Sequence, residues 1–191
     1  AIIAGQSDAT AYFAFVALTN IPANTTITFT DNAWTNSAGG FAATEGYIQW
    51  SHTSIVKAGT VVAITGTTSA SVGSLSSGGS WAFAAAGDQI IAFADTWANR
   101  PTTASDAKFL YAFSSENFIT SGTPNSNQSY LPSALASASA AMTGSTTETD
   151  NAVWANTNTV ITALSWTNTA SGFLTMISPS NKWYQLNTTI T

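Results

Sequence analysis

The sequence predicts an all-β fold, an antiparallel β-sandwich with one short C-terminal helix, and three observations predict it. Short runs rich in Val, Ile, Thr, Phe, Tyr and Trp recur along the chain, separated by turns bearing Gly, Asn and Asp. Helical spacing of apolar residues is confined to one stretch near the C-terminus. The 191 residues include 45% hydrophobic and 12% aromatic side chains, enough for one domain with its own core and short for two, so residues 1–191 are read as a single sandwich domain.

The elements follow in order. Ala11 to Leu18 (AYFAFVAL) is a continuous apolar run, as expected of a central strand buried on both faces. Ile21 to Asn24 is a turn, and Thr25 to Thr30 alternates as a half-buried strand. Asp31 to Gly40 carries loop residues. Gly46 to His52 alternates, with Ile48, Trp50 and His52 on one face. Lys57-Ala58-Gly59 turns the chain into the strand Thr60 to Thr65, and Gly66 to Gly79 reads as a small, polar surface loop. Trp81 to Ala84 and Gln89 to Ala94 read as a hairpin, and Lys108 to Phe113 as the next strand. Ser114 to Gly144 reads as a long, weakly structured segment in which Ala134 to Met142 is the one stretch with helical character. Asn151 to Trp154 is a short strand. In Thr169 to Ile177, Phe173, Leu174 and Ile177 form a helical apolar face that Pro179 ends. Trp183 and Tyr184 are expected on the core.

Charge is the most unusual feature. Asp, Glu, Lys and Arg make up 7% of the chain, against about 25% in an average soluble domain. Nucleic-acid binding requires clustered cations, and the four here, Lys57, Arg100, Lys108 and Lys182, are scattered under a net charge of −5. No run reaches the roughly 18 apolar residues of a membrane-spanning helix, so no membrane insertion is expected. An outside built of Ser, Thr, Asn and Gln repels its own copies weakly, which favours association with copies of itself or with polysaccharide.

Without cysteine, neither a disulfide nor a thiolate metal site can form. The Ser/Thr/Asn/Gly bias points to a bacterial exterior, and a start at Ala1 followed by Ile2 and Ile3 fits a mature secreted form whose signal peptide has been removed. Three Asn-x-Ser/Thr matches, at Asn24, Asn127 and Asn187, carry little weight in a Thr-rich chain.

The ordered series Phe13-Ala-Phe-Val-Ala-Leu18, Phe29-Thr-Asp-Asn-Ala-Trp34, Glu45-Gly46 with Trp50, Lys57-Ala-Gly-Thr-Val-Val62 and Gly87-Asp-Gln-Ile-Ile-Ala-Phe93 resembles a module of bacterial secreted and cell-surface proteins. That module typically reads FAFV, FTDNGW, EG with a following W, AGTVV and GDQI. Tyr130 to Leu135, Asp150 to Trp154 and Phe173 to Trp183 match in the same order, so the resemblance spans nearly the whole chain. It implies a lamin-tail-like β-sandwich, with no agreed catalytic activity. Ala33 stands where the module usually has Gly. The module is usually embedded in larger proteins. Here it is expected to stand alone, as a subunit.

Candidate chemistry is sparse. His52 is the single histidine, no Gly-x-Ser-x-Gly elbow surrounds a serine, and zinc lacks ligands. Asp31 and Glu45 border one loop and form the one carboxylate pair a glycosidase reading would use, but no accompanying cleft pattern is present, and no enzyme is expected. No cofactor is required. Calcium is the cation that Asp31, Asn32, Glu45 and Asp88 would suit, although no calcium-loop signature is present. The other reading is that Asp31 caps its own turn and Glu45 closes the loop. Trp34 and Trp97 fall in loops and are the candidates for stacking on a sugar. Trp166, in VITALSW, suits either core or interface. Two extended, apolar-tinged ends, Ala1, Ile2 and Ile3 with Ala4, and Thr189 and Ile190 in the tail 188–191, are candidate assembly strands. The leading expectation is therefore an extracellular structural subunit forming a filament, sheath or surface layer. The alternative is a calcium-assisted polysaccharide-binding or adhesion module.

Overall fold

Alternation of large apolar and small polar residues places the strands. The computed structural model describes residues 1–7, 10–36, 39–42, 44–144, 149–155 and 170–187. It contains β1 (Ile2–Gln6), β2 (Tyr12–Val16), β3 (Thr26–Thr30), β4 (Tyr47–Ser51), β5 (Val61–Thr65), β6 (Ser69–Ala70), β7 (Ser74–Gly78), β8 (Gln89–Ala94), β9 (Phe109–Ser114), α1 (Ser133–Ser137), β10 (Ala141–Thr143), β11 (Asn151–Trp154), α2 (Ala170–Ile177) and β12 (Trp183–Leu186). Two six-stranded sheets form, the first in the order β12-β11-β1-β2-β5-β6 and the second in the order β10-β9-β8-β3-β4-β7. The fold is mainly β, as the residue pattern predicts.

Strand periodicity decides what lies between the sheets. Ile2, Phe13, Phe15, Val62 and Ile64 of the first sheet face Ile27, Phe29, Ile48, Trp50 and Ile90 of the second, all buried. Phe29 is shared between Phe13 and Phe15, at centroid separations of 4.9 and 5.1 Å, and Trp50 meets Phe15 edge-on at 5.2 Å. Gly5 turns its missing side chain inward, where a Cβ would sit 2.9 Å from the Phe113 ring. Helix α2 buries Phe173 and Ile177, and the Trp154 and Trp183 indoles donate to the carbonyls of Met176 and Ile177.

The outer faces of the two sheets differ. On the second sheet, Phe93 and Phe109 face outward and are covered by Trp34 and Phe41 from the loop after β3, and by Trp97. That aromatic layer buries β8 on both faces. The run from Ala11 to Leu18 yields β2, an interior strand of the first sheet, with Phe13, Ala14 and Phe15 buried on both faces at its centre and Tyr12 and Val16 half-buried at its ends.

Other expectations are corrected by backbone hydrogen bonding. Trp81 to Ala84 is not a strand, because the N–H groups of Ala82 and Ala84 go to Asp31 and Asp88 carboxylates rather than to a neighbouring strand. The predicted loop Gly66 to Gly79 contains β6 and β7, which carry the chain from the edge of one sheet to the edge of the other. The segment Ser114 to Gly144 contains α1 and β10. Helix α1 makes the crossover that lets β10 pair parallel to β9, the one departure from antiparallel pairing among the strand ladders. Trp183 is buried, whereas Tyr184 is 51% exposed.

Candidate functional site

At the end of β3 the chain must turn out of the sheet, and its polar groups are satisfied by side chains rather than by a ladder. Asp31 is fully buried there. Its Oδ1 accepts the N–H of Gly46 at 2.8 Å and its Oδ2 accepts the N–H of Ala82 at 3.0 Å. Asn32 reads both polarities of the returning loop. Its amide donates to the Gly46 carbonyl at 2.8 Å and to Thr30 Oγ1 at 3.0 Å, and its Oδ1 accepts from the N–H groups of Glu45 and Thr44 at 3.0 and 3.2 Å. Gly46 is held from three sides, and a Cβ on it would lie 2.2 Å from the Trp81 nitrogen. Asp88 repeats the pattern before β8, with Oδ1 on the N–H of Gln89 at 2.7 Å and Oδ2 on that of Ala84 at 2.9 Å.

The structure therefore brings Asp31, Asn32, Glu45 and Asp88 into one polar knot that ties three loops to β3 and β8. Burial lifts the Asp31 carboxyl to about 6, against the pull of backbone N–H donors, Ala82 and Gly46 foremost. Burial, reinforced by the Asp31 charge, lifts Glu45 to about 8. Asp88 also rises to about 8 through burial, with smaller contributions from Glu45 and Asp31. Near neutrality the knot thus holds protons, consistent with a Glu45 Oε2 that is buried without a hydrogen-bond partner among the described residues. Among the described residues no group of three or more His, Asp and Glu side chains is arranged to hold a metal ion. Asp31 does cap, as the alternative reading has it, and it reaches beyond its own turn to Gly46 and Ala82.

Gln89 is the member that residue-by-residue reading missed. Its Nε2 donates to the Asp31 carbonyl and, at 3.1 Å, to that of Ser126. Its text, Gly87-Asp88-Gln89, is visible in the sequence, but nothing there shows that the amide spans to a loop 58 residues earlier.

The two candidate sugar platforms part company. Trp34 is 0% exposed, edge-on to Phe41 at 5.1 Å and to Phe109 at 5.3 Å, so its faces are closed to a ligand. The expectation of an open ring is corrected: the loop that carries Trp34 folds down onto the second sheet instead of projecting. Trp97 is half-buried in a 3-10 turn, Trp97–Asn99. It stacks on Tyr47, and the Arg100 guanidinium lies 4.8 Å from its ring centroid. His52 is local, its Nδ1 accepting the Ser54 N–H at 3.1 Å.

Of the candidate assembly residues, Ala1, Ile2 and Ile3 do not form a free end. Strand β1 pairs with β2 from Ile2 onward and with β11 over Ala4 to Gln6, Ala1 exchanges backbone hydrogen bonds with Val16, and Ile2 is fully buried. The apolar text of this end reflects packing into the core and pairing with β2, not a detached strand. Thr189 and Ile190, like Trp166, lie outside the described residues.

The distribution of charge has a simple form. Among the described residues, none of the twelve strands contains Asp, Glu, Lys, Arg, His or Pro. The sheet edges at β12, β6, β10 and β7 share this composition. No described helix is long and apolar enough to cross a membrane. No family model, curated protein or solved structure matches the chain.

Proposed function

We propose that this protein is an extracellular structural subunit that assembles with copies of itself into a filament, sheath or surface layer through uncharged faces and strand edges. The observation that carries the reading is the absence of charge and proline from every strand among the described residues, edge strands included. Sheet proteins ordinarily guard their edges with lysine, other inward or outward charges, proline or bulges, because an open ladder templates pairing with another chain. Here those guards are missing from β7 and β12, and Tyr184 and Leu186 on β12 are exposed. Burial of the acids weakens repulsion further: with Glu45 and Asp88 protonated, the formal charge falls in magnitude from −5 to −3. The resemblance to secreted and cell-surface modules supports the extracellular setting.

The test is light scattering and negative-stain electron microscopy of purified protein across a concentration series, at low and high salt. Ordered polymers that survive high salt are expected, because screening acts on charges and these contacts have none. A chain that stays monomeric at every concentration overturns the proposal.

A further inference from the structure

Strand register places one continuous surface on the back of the first sheet. Phe13, Phe15, Val62 and Ile64 point into the core, so Tyr12, Ala14 and Val16 of β2 and Val61, Ala63 and Thr65 of β5 point outward. The inward Gly5 sets Ala4 and Gln6 of β1 outward in the same way. Cross-strand pairing then lines up Tyr184, Val153, Ala4, Ala14 and Ala63 as one row across five strands. Three consecutive alanines make a trough in that row. Tyr12, Val16 and Val61 stand along its sides and Tyr184 closes one end. Val61 is 50% exposed and Tyr184 51%, and Ala4 and Ala14 form the buried floor of the trough at 7% and 3%. The matching face of the second sheet lies under the aromatic layer of Trp34, Phe41 and Trp97.

We infer that this face is where two copies of the chain pack back to back, the pair being the repeating unit of the assembly; the inference rests on the self-assembly reading and names its contact. The occupant follows from charge and area. A charged partner would find no counter-charge on any strand of the first sheet, while a second copy brings the same neutral surface. Five strands of four or five residues, spaced at about 4.8 Å and rising roughly 3.3 Å per residue, give a plane of roughly 350 Å² per copy. A pair then covers on the order of 700 Å² in projection, the size of a weak contact that repetition along an assembly reinforces. A two-fold pairing is self-complementary, the same patch of each copy facing the other.

The experiment compares wild type with a Val61→Lys/Ala63→Lys double variant on this face, with Tyr184→Lys as a milder single change at an already exposed site. Ile55→Lys, at a 56% exposed position in the loop between β4 and β5, away from this face and from the sheet edges, is the control. Circular dichroism and melting establish that each variant is folded, and light scattering gives mass against concentration. The expected result is that the double variant and Tyr184→Lys raise the concentration needed for pairing at least about tenfold, since each pair would bury like charges without partners. Ile55→Lys should leave the pair intact. Pairing of the face variants at wild-type concentration overturns this inference while leaving self-assembly standing, as does loss of pairing in Ile55→Lys with the face variants unaffected. A wild-type chain that never associates overturns both.

Discussion

The indole of Trp97 lies on the phenol of Tyr47 with ring centroids 5.0 Å apart and planes inclined by 11°, and its backbone N–H reaches Gln49 Oε1 at 2.7 Å. One residue therefore fastens the turn after β8 to the outer face of β4, with the Arg100 guanidinium over its ring. A ring engaged in this way is structural. Trp97→Ala is expected to cost about 2–3 kcal/mol, below the value for a fully buried Trp because the side chain is half-buried. Urea denaturation followed by circular dichroism measures it. Unchanged stability, combined with lost glycan binding, would return Trp97 to the role of a ligand platform.

Asn32 offers a sharper test because it donates and accepts at once. Asn32→Asp keeps its shape but replaces an amide that donates to Gly46 and Thr30 with a carboxylate that repels the Gly46 carbonyl. At a fully buried position this is expected to cost about 3 kcal/mol or more. An equilibrium unfolding curve superimposable on wild type would show that the knot does not hold the loops.

The sandwich is legible in the sequence because β3, β4 and β5 alternate, and a period of two has one structural meaning. Continuous apolar text is less decisive. Ala11 to Leu18 and Gln89 to Ala94 look alike, and only the loops folded over the second sheet bury β8 along nearly its whole length while β2 is buried at its centre alone. The site was half legible. Asp31, Asn32, Glu45 and Asp88 stand out as acids and amides beside turns, and they do meet. What they bind is not written locally: Gly46, Ala82 and Ala84 donate backbone N–H groups, which every residue except proline possesses. For the same reason Trp34 reads as a loop residue although it is core, since its covering partners Phe41 and Phe109 come from separate parts of the chain.

The buried acids set a pH dependence with a definite sign. Glu45 and Asp88 titrate at about 8 in the folded chain against ordinary values of 4.5 and 3.8. Between roughly pH 4 and 8 the folded state retains protons that the unfolded state has released, so stability falls as pH rises through that window and levels off above it. Asp31, raised to about 6, adds to the lower half of the window. Melting temperatures measured from pH 4 to 9 check the direction. Glu45→Gln, which removes one titrating group and leaves the buried Oε2 position neutral, should flatten the profile. A wild-type profile that rises toward pH 8 would contradict the protonated knot.

Calcium gives the last test, because the same oxygens that suggest a cation site are already engaged. Both carboxylate oxygens of Asp31 accept backbone N–H groups, as do both of Asp88, and Asn32 Oδ1 accepts two more. A calcium ion requires six to eight oxygen ligands, and to recruit these it must displace N–H donors that would then be buried without acceptors. The melting temperature is therefore expected to be the same in millimolar calcium and in excess chelator. A rise of several degrees with calcium that disappears in Glu45→Gln would show instead that Glu45 Oε2 and Gln89 Oε1, both without a hydrogen-bond partner among the described residues, are two corners of a cation site, with the loops rearranging to supply the rest.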